Sequence, residues 1–488
     1  MKNLLLSLAG LLSLSAAMPA LAEPASAWDS LVAPETARDE LDALYKGLQS
    51  AHFDLYAHQP EEAYDARYQA IREGFEEPIS LYELALQLQK FTAFGHVAHA
   101  RIDFPQAVYD SYRDAGGKTF PIYLRIVDGR AYVGEDYSGA SDIQPGDEIR
   151  AIDGIDMAQW LARTAQHLSA DTPYIAHSLL EFSFPKYLWV ELGERDAFQL
   201  TLHREGEGRF QVEVPGVTRS DIEIASQTMP ERFALNPNAR DAKMLTDSVA
   251  YLRPGPFYNV EDPENLWDAS GFRTFIDDAF EQFLANEADT LIIDLRDNPG
   301  GDNSFSDLMI AWIADEPFRF AADFLIRSSD EAAASNQARL DANPDSVAGV
   351  SGRFAEFYAE TPRGEVFSFD IDYTSPREGV RFSGDVYVLI NRHSYSNAVN
   401  TAAIFQDYGW GVIAGEKTAD MATTYGAMES FTLPETGLDV GFPKAHIIRP
   451  SGERKSDGVT PDLPIRTPII ASEKDDVLET LLGLIAER

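Results

Sequence analysis

The sequence predicts an α/β core preceded by a helical amino-terminal segment and a β-rich module. Apolar residues recur at helical spacing between residues 28 and 100, whereas strands and turns dominate from 105 to 217. From 245 to 485 strands and helices alternate, as in α/β folds. With 488 residues the chain exceeds one ordinary core, and its 44% hydrophobic content is typical of packed globular proteins.

The first 22 residues have the features of a signal peptide. Lys2 gives a short positive region, Leu4 to Ala17 are apolar, and Ala20-Leu-Ala22 is a small-x-small cleavage site. The apolar stretch is short for a bilayer span. We therefore expect residues 1–22 to be removed and the protein to be periplasmic or secreted in a bacterium, with no integral membrane segment after cleavage.

Composition excludes several classes of function. The chain has 40 Lys and Arg against 79 Asp and Glu, and its net charge of −39 repels nucleic acid. It has no Cys, which excludes disulfides and thiolate metal sites. His96, His99 and His393 are the types of residue that bind zinc, but no acid lies at ligand spacing from them. No metal, cofactor or nucleic-acid partner is predicted.

The helical segment is assigned to residues 23–104. Its third helix is expected to end near Phe94-Gly-His96, where glycine is a stop signal. The apolar positions with helical spacing are Leu41, Leu44, Tyr45 and Leu48, then Tyr64, Tyr68 and Ile71, then Leu84, Leu88 and Phe91.

The β-rich module is assigned to residues 105–217. Asp128-Gly129 between two apolar runs predicts a hairpin. The segment Ile143-Gln-Pro-Gly-Asp-Glu-Ile-Arg-Ala-Ile-Asp-Gly154 resembles the signature of PDZ domains, which hold peptide ends by strand addition. Residues 157–195 are more than a compact PDZ domain needs.

The third region is assigned to residues 240–488. Residues 322–375 interrupt its strand–helix alternation and are predicted to form an insertion or lid. The predicted strands are 249–252, 291–295, 386–390 and 411–414, and the predicted helices are 270–286, 303–314 and 397–408.

Two turns in this region contain residues that can take part in a reaction. One follows a buried strand and contains Gly300 and Gly301; the other leads into a helix and contains Ser394 and Ser396. A nucleophile beside exposed backbone N–H groups is what acyl transfer requires. The alternatives are a serine that caps the helix and an ordinary glycine turn.

Four motifs resemble those of the C-terminal processing and tricorn-type serine peptidases. The resemblance spans nearly the whole chain after residue 22, although Phe94 stands where the family has Asp. The motifs are Asp294-Leu-Arg-Asp-Asn-Pro-Gly-Gly301; Ser394-Tyr-Ser396 followed by Gln406-Asp-Tyr-Gly409 and Gly415-Glu-Lys-Thr418; Gly458-Val-Thr-Pro-Asp462; and Phe94-Gly-His96.

The resemblance implies roles for single residues and a crotonase-like ββα core. Ser396 corresponds to the nucleophile, and Gly300 or Gly301 with the Asn397 N–H corresponds to the oxyanion hole. The bacterial members keep a lysine base 25 residues after the serine, and here that residue is Met421. The tricorn-like branch uses a histidine instead, and His96 matches it.

The acid that would orient the histidine is not fixed by the motif. The family position falls on Lys455, and either Glu453 or Asp457 could take the role after a slip of two residues. Lys455 as a displaced base is a further alternative. The resemblance thus predicts an exported serine peptidase acting on a peptide or protein. The rivals are a catalytically inactive binding protein on the same scaffold and a hydrolase of other esters or amides, and the oligomeric state is left open.

Overall fold

The computed structural model describes residues 27–343, 347 and 349–487. The predicted signal peptide, residues 1–22, lies outside these residues. In the described part of the chain no helix has both the length and the apolar character to cross a membrane. The described residues form a mixed α/β structure with four sheets.

The amino-terminal segment contains the three predicted helices. They and a short antiparallel strand pair are β1 Leu31–Val32, α1 Pro34–Ala51, α2 Glu61–Gly74, β2 Ile79–Ser80 and α3 Leu81–Ala93. Helix α3 begins with a capping box, because Ser80 Oγ accepts the Glu83 N–H and the Glu83 carboxylate accepts the Ser80 N–H. It ends just before Gly95, as the glycine stop signal predicts.

The β-rich module follows the helical segment. The chain from the end of the helical segment to the end of the module runs through β3 Arg101–Ile102, α4 Gln106–Asp114, β4 Ile122–Val127, β5 Arg130–Asp136, β6 Glu148–Ile152, β7 Ile155–Asp156, α5 Met157–Ala165, α6 Pro173–Leu192, β8 Ala197–Arg204, β9 Gly208–Pro215 and α7 Arg219–Ser226. Most strands of the module form an antiparallel sheet with order β4-β5-β6-β8-β9, partly covered by two helices. Strand β4 forms one edge of this sheet.

The third region alternates strands and helices, as predicted. Helix 303–314 is the exception in length, because the chain leaves the α-helix after Ile310. The elements are β10 Asp241–Met244, β11 Val249–Arg253, α8 Ser270–Ala285, β12 Thr290–Asp294, α9 Asn303–Ile310, β13 Asp323–Arg327, α10 Asp330–Ala342, α11 Val350–Glu360, β14 Val366–Ser368, β15 Asp385–Ile390, α12 Asn397–Tyr408, β16 Val412–Gly415, β17 Thr424–Thr432, β18 Asp439–Ile448, β19 Leu463–Pro464 and α13 Asp476–Ala486.

The central sheet of this region has order β10-β11-β12-β15-β16-β19. All its neighbours are parallel except β10 and β11. Strands β12 and β15 are apolar along their buried lengths because helices cover the parallel sheet. Their carboxyl ends therefore lie side by side at one edge.

A second sheet has order β14-β13-β18-β17, and β3 pairs with β18. Residues 322–375, predicted as an insertion or lid, supply β13 and β14 of this sheet and the helices α10 and α11. Leu41 and Leu44 of α1 share one buried core with Phe324 and Ile326 of β13. The amino-terminal helices and this segment thus pack against the second sheet of the third region.

Candidate active site

The two turns singled out in the sequence meet in the structure. Strands β12 and β15 are parallel neighbours with Asp294 opposite Leu389, so the turns that follow them leave the same sheet edge. The Tyr395 N–H donates to the Asn298 carbonyl at 2.9 Å. Ser394 Oγ donates to the Leu295 carbonyl at 2.7 Å. These bonds fix one turn against the other.

Backbone geometry distinguishes Ser396 from Ser394. Ser396 stands between β15 and α12 with φ 52° and ψ −122°, a strained conformation for a residue with a side chain. Its hydroxyl makes no capping bond and has no hydrogen-bond partner among the described residues. Ser394 is buried and accepts the Asn391 N–H as well as donating. Ser394 is structural, whereas the Ser396 hydroxyl is available to react.

Gly300 lies against the nucleophile turn. It has φ +87°, and a Cβ added there would lie 2.7 Å from the Asn397 nitrogen and 2.9 Å from Ser396 Cβ. Gly301 has φ +134° and is equally confined, because an added Cβ would lie 2.2 Å from the Phe257 carbonyl oxygen. Only glycine fits either position. The structure thus brings Gly300, Ser396 and Asn397 together.

Two backbone N–H groups remain unused at this point. The Gly300 N–H donates to Asn298 Oδ1 at 2.9 Å, so it is already occupied. In the described part of the chain, the N–H groups of Gly301 and Asn397 have no acceptor. Asn397 is the first residue of α12, where N–H groups are free and the helix dipole is positive. These two donors can stabilise a negative oxygen.

Asp420 touches the nucleophile backbone, which the sequence motifs did not indicate. Its Oδ2 accepts the Ser396 N–H at 2.6 Å, and its Oδ1 accepts the Met421 N–H at 2.8 Å. Burial raises the pKa of Asp420, although the charge of His99 opposes this shift. The only sequence signal was its place directly before Met421, the position of the family lysine. Asp420 holds the Ser396 backbone in its strained conformation.

The two histidines of the loop after α3 occupy different surroundings. His96 has φ 52° and an exposed side chain, and its ring lies 6.4 Å from that of Phe94. Partial burial and the nearby His58 lower the pKa of His96. Among the described residues no hydrogen bond, ion pair or ring contact joins its side chain to the turn that carries Ser396.

His99 reaches the nucleophile turn. Only 6% of it is exposed, and its ring stacks on Tyr395 with centroids 5.7 Å apart and planes 25° apart. Its Nδ1 is buried and has no hydrogen-bond partner in the described structure. Strand β3 begins two residues later and pairs with β18, which anchors this part of the loop. The sequence motif pointed to His96, and nothing local in the sequence marked His99, which follows the same helix.

The candidate third members do not reach either histidine. Asp457 pairs with Lys417 and lies 3.1 Å from Lys455 Nζ. Although burial acts to raise it, these lysines hold the pKa of Asp457 below its usual value. Glu453 is exposed, and its Oε1 accepts the Lys455 N–H at 2.9 Å.

Met421 is buried in a small apolar cluster with Ala98, Ala170 and Ile175. A thioether occupies the place of the family's amine, and it cannot accept a proton at any working pH. Through this cluster, Ala98 in the loop after α3 packs against Met421, the residue that follows Asp420.

A buried charge network connects the β-rich module to the nucleophile turn. On edge strand β4, the Ile126 N–H donates to Glu181 Oε1 at 2.6 Å, and its carbonyl accepts from Arg392. Arg392 also lies 3.1 Å from Glu181 and 3.0 Å from Glu416. His393 lies 3.1 Å from Glu181. Helix α6 supplies Glu181, so the longer segment between 157 and 195 closes the edge of the module.

A strained serine between a strand and a helix, beside unused backbone donors and near a buried histidine, is the arrangement of a serine hydrolase. Residues 259–465 match the model of peptidase family S41. This match identifies an S41 peptidase domain within the chain, that of a serine-type peptidase, and confirms the resemblance to the C-terminal processing peptidases.

Solved structures share this fold. The structure of mature CPAF complexed with lactacystin has a TM-score of 0.62 at 16% identity, covering 93% of this chain and 98% of that chain. A crystal structure of mature CPAF has a TM-score of 0.58 at 16% identity, covering 88% and 92%. The crystal structure of a CPAF mutant has a TM-score of 0.59 at 15% identity, covering 88% and 93%. No curated protein sequence matches this chain.

Proposed function

We propose that this protein is an exported serine peptidase that hydrolyses peptide bonds through an acyl-enzyme on Ser396. The observation that carries the proposal is the strained Ser396 backbone, which presents an unpartnered hydroxyl beside the unused N–H groups of Gly301 and Asn397. Export to the periplasm or beyond rests on the signal features of residues 1–22.

The chemistry follows from these positions. Ser396 Oγ attacks the carbonyl carbon of the scissile bond while a histidine accepts the hydroxyl proton. The Gly301 and Asn397 N–H groups stabilise the oxygen that becomes negative. The carbon–nitrogen bond then breaks, the histidine returns the proton to the departing amine, and an ester remains on Ser396. Water attacks that ester by the same route and releases the acid.

The histidine is either His96 or His99. The family motif points to His96, but the contacts favour His99, because it stacks on Tyr395 and acts electrostatically on Asp420. We therefore propose His99 as the base and keep His96 as the alternative. Glu453 and Asp457 stay candidates for orienting the histidine, a role that requires their loop to move away from the lysines that now engage it.

The β-rich module is proposed to be PDZ-like, on the strength of its Pro145-Gly-Asp147 turn and antiparallel sheet. Because Glu181 and Arg392 already bond to Ile126 on edge strand β4, we assign the module a bracing role rather than peptide capture by strand addition. The parallel central sheet supports a crotonase-like ββα core for the catalytic half.

The test is casein hydrolysis by four proteins: the parent, Ser396→Ala, His99→Ala and His96→Ala. Loss of the nucleophile or of the base should each lower the rate by about 10⁴-fold or more. His96→Ala should retain activity within about 10-fold of the parent, and circular dichroism should show all four folded. Full activity of Ser396→Ala would reject the mechanism, and inactivity of His96→Ala alone would return the base to His96.

The rival is a binding protein on an inactive scaffold, which Met421 in the lysine position favours. A folded parent that hydrolyses nothing, but gains activity as Met421→Lys, would establish that rival. Lactacystin, present in the similar CPAF structure, is proposed as a second probe of Ser396.

A further inference from the structure

A cavity of about 160 Å³ borders the nucleophile turn. Tyr395, the residue directly before Ser396, forms part of its wall. Helix α6 supplies Lys186 and Tyr187, and the segment around β3 supplies Arg101 and Phe104. None of these side chains has a part in the proposed hydrolysis. The cavity is therefore a separate pocket next to the reacting serine.

Lys186 is a buried cation that pairs with no carboxylate among the residues that the structure describes. It is 8% exposed, and its Nζ makes one long hydrogen bond, at 3.4 Å, to Gln106 Oε1. The ammonium otherwise faces the rings of Phe104 and Tyr187, with centroids at 4.6 and 5.0 Å. Burial lowers the pKa of Lys186 to about 8, although Asp110 and Asp103 act to raise it. A lysine is seldom buried unless it is paired.

Arg101 adds a second cation to the same wall. Its Nε lies 3.1 Å from Asp103 Oδ1, but its Nη2 is buried and has no hydrogen-bond partner in the described part of the chain. Asp103 is the cavity's one lining carboxylate within the described residues, and 51% of its side chain is exposed. The pocket thus carries a local excess of positive charge in a chain of net charge −39.

Several other polar groups of the lining are already bonded. His167 lies 2.8 Å from Glu191 and 3.3 Å from Gln89. Gln89 also donates to the Ile102 carbonyl, and Ser169 donates to the Ala100 carbonyl. The charged donors left for a ligand are those of Lys186 and Arg101, which suit an anion.

We propose that this cavity is a substrate subsite that binds a carboxylate through Lys186 and Arg101, close to the bond cleaved at Ser396. The proposal rests on the proposed peptidase function and names the substrate class of that site. A carboxylate would accept hydrogen bonds from the free N–H groups of Lys186 and Arg101. It comes either from an Asp or Glu side chain or from the carboxyl terminus of the peptide.

The experiment compares matched peptides on the parent and on Lys186→Met, which keeps the length and removes the charge. One arm exchanges Glu for Gln at each position flanking the cleaved bond. The other arm compares a free carboxyl terminus with its amide. Lys474→Met, at a side chain that is 73% exposed, is the control for the same substitution at a remote site.

The parent should cleave the carboxylate member of one arm at least about 10-fold faster in kcat/KM, the effect of one hydrogen-bonded charge. Lys186→Met should bring that ratio close to one through a higher KM for the carboxylate peptide, with the neutral peptide unaffected. The arm that responds identifies the source of the carboxylate. Equal turnover of both members by the parent, or an unchanged ratio in Lys186→Met, would overturn the proposal. So would an equal loss on both peptides, since that indicates a packing role.

Binding separates this inference from the proposed function. With the Ser396→Ala variant, fluorescence anisotropy of the labelled peptides should show tighter binding of the carboxylate peptide than of the neutral peptide. In the double variant Ser396→Ala, Lys186→Met the two peptides should bind equally. Such binding in a protein whose parent cleaves nothing would uphold the subsite and reject the peptidase. Cleavage by the parent without Lys186-dependent binding would support the peptidase function and reject the subsite.

Discussion

Single residues at the nucleophile turn are constrained more tightly than their motifs indicate. Ser394 and Ser396 lie two positions apart and look alike in the sequence, but one is hydrogen-bonded on both sides and the other has a strained backbone and a free hydroxyl. Strain of this kind persists only where the surroundings fix it. Here Asp420 and the Tyr395–Asn298 bond do so.

Gly300→Ala tests how closely the glycine turn approaches the nucleophile. The added Cβ would stand 2.7 Å from the Asn397 nitrogen at a φ of +87°, so either the turn or the start of α12 must shift. We expect kcat to fall by about 10²-fold or more, because a displaced oxyanion donor costs that much. Gly271→Ala is the matched control, since its Cβ would meet nothing within 4 Å. Equal activity of the two variants would contradict the geometry.

Asp307 predicts a pH dependence of stability. Burial raises its pKa to about 6, although Thr374 and Asn303 donate to its carboxylate. Since the unfolded carboxyl has a pKa near 4, the native state holds a proton that the unfolded state has lost between about pH 4 and 6. The contribution of Asp307 to the free energy of unfolding should therefore fall across this range as pH rises.

Urea unfolding of the parent and of Asp307→Asn at several pH values measures this effect. The variant cannot ionise, so its advantage over the parent should grow from pH 4 to pH 6 and then level off. Asp278→Asn, at an exposed side chain, should show no such trend. A difference between parent and Asp307→Asn that is constant with pH would contradict the prediction.

Among the elements, the segment 322–375 differs most from its expectation. The sequence showed a weakly periodic stretch rich in Ala and Asp, which suggested an insertion or lid. The structure shows short strands β13 and β14 and helix α10 packed on β17, held by a buried cluster of Glu429, Lys444 and Arg339. Arg339 and Glu429 lie 90 residues apart in the sequence, so local periodicity could not indicate their pairing.

Lys444→Met should loosen this attachment. Lys444 Nζ lies 2.6 Å from Glu429 Oε1, and the two side chains are 4% and 2% exposed. Although burial acts to raise it, Lys444 and Arg339 lower the pKa of Glu429 to about 2. Removal of one partner of a buried pair costs about 3 kcal/mol in the free energy of unfolding. Denaturant unfolding at pH 7 measures it.

Lys474→Met, which removes an exposed ion pair, should cost less than about 1 kcal/mol. The loss from Lys444→Met should also shrink as pH falls from about 4 toward 2, since protonation of Glu429 removes the buried charge. Equal effects of the two substitutions at pH 7 would show that the buried pair does not hold the segment.

At the scale of the whole molecule, Arg392 joins the β-rich module to the catalytic half. It lies four residues before Ser396 and bonds to Ile126 of β4 and Glu181 of α6. Arg392→Met should weaken this contact and speed hydrogen exchange of residues 122–127 by at least about 10-fold. Arg454→Met, whose partner Asp323 is also on the surface, should leave that exchange unchanged. Unaltered exchange in Arg392→Met would contradict the coupling.

The sequence predicted the order of helical segment, β-rich module and α/β core, because local periodicity and glycine turns determine these elements. It also predicted that Gly300, Ser396 and Asn397 meet, since both turns follow neighbouring strands. It could not assign Asp420 or Lys186, whose significance comes from burial by distant segments. It selected His96 from the family motif and gave no sign of His99 as a base, since the position of His99 depends on β3 pairing with β18, more than 300 residues away.

Labelling with a fluorophosphonate, followed by peptide mass spectrometry, tests the activation of Ser396 most directly. We expect one adduct, on the peptide that contains Ser396. The adduct should be absent in Ser396→Ala and should form much more slowly in His99→Ala. His96→Ala should label at nearly the parent rate. A folded parent that takes no adduct, or takes it on another residue, would contradict the assignment of Ser396 as the nucleophile.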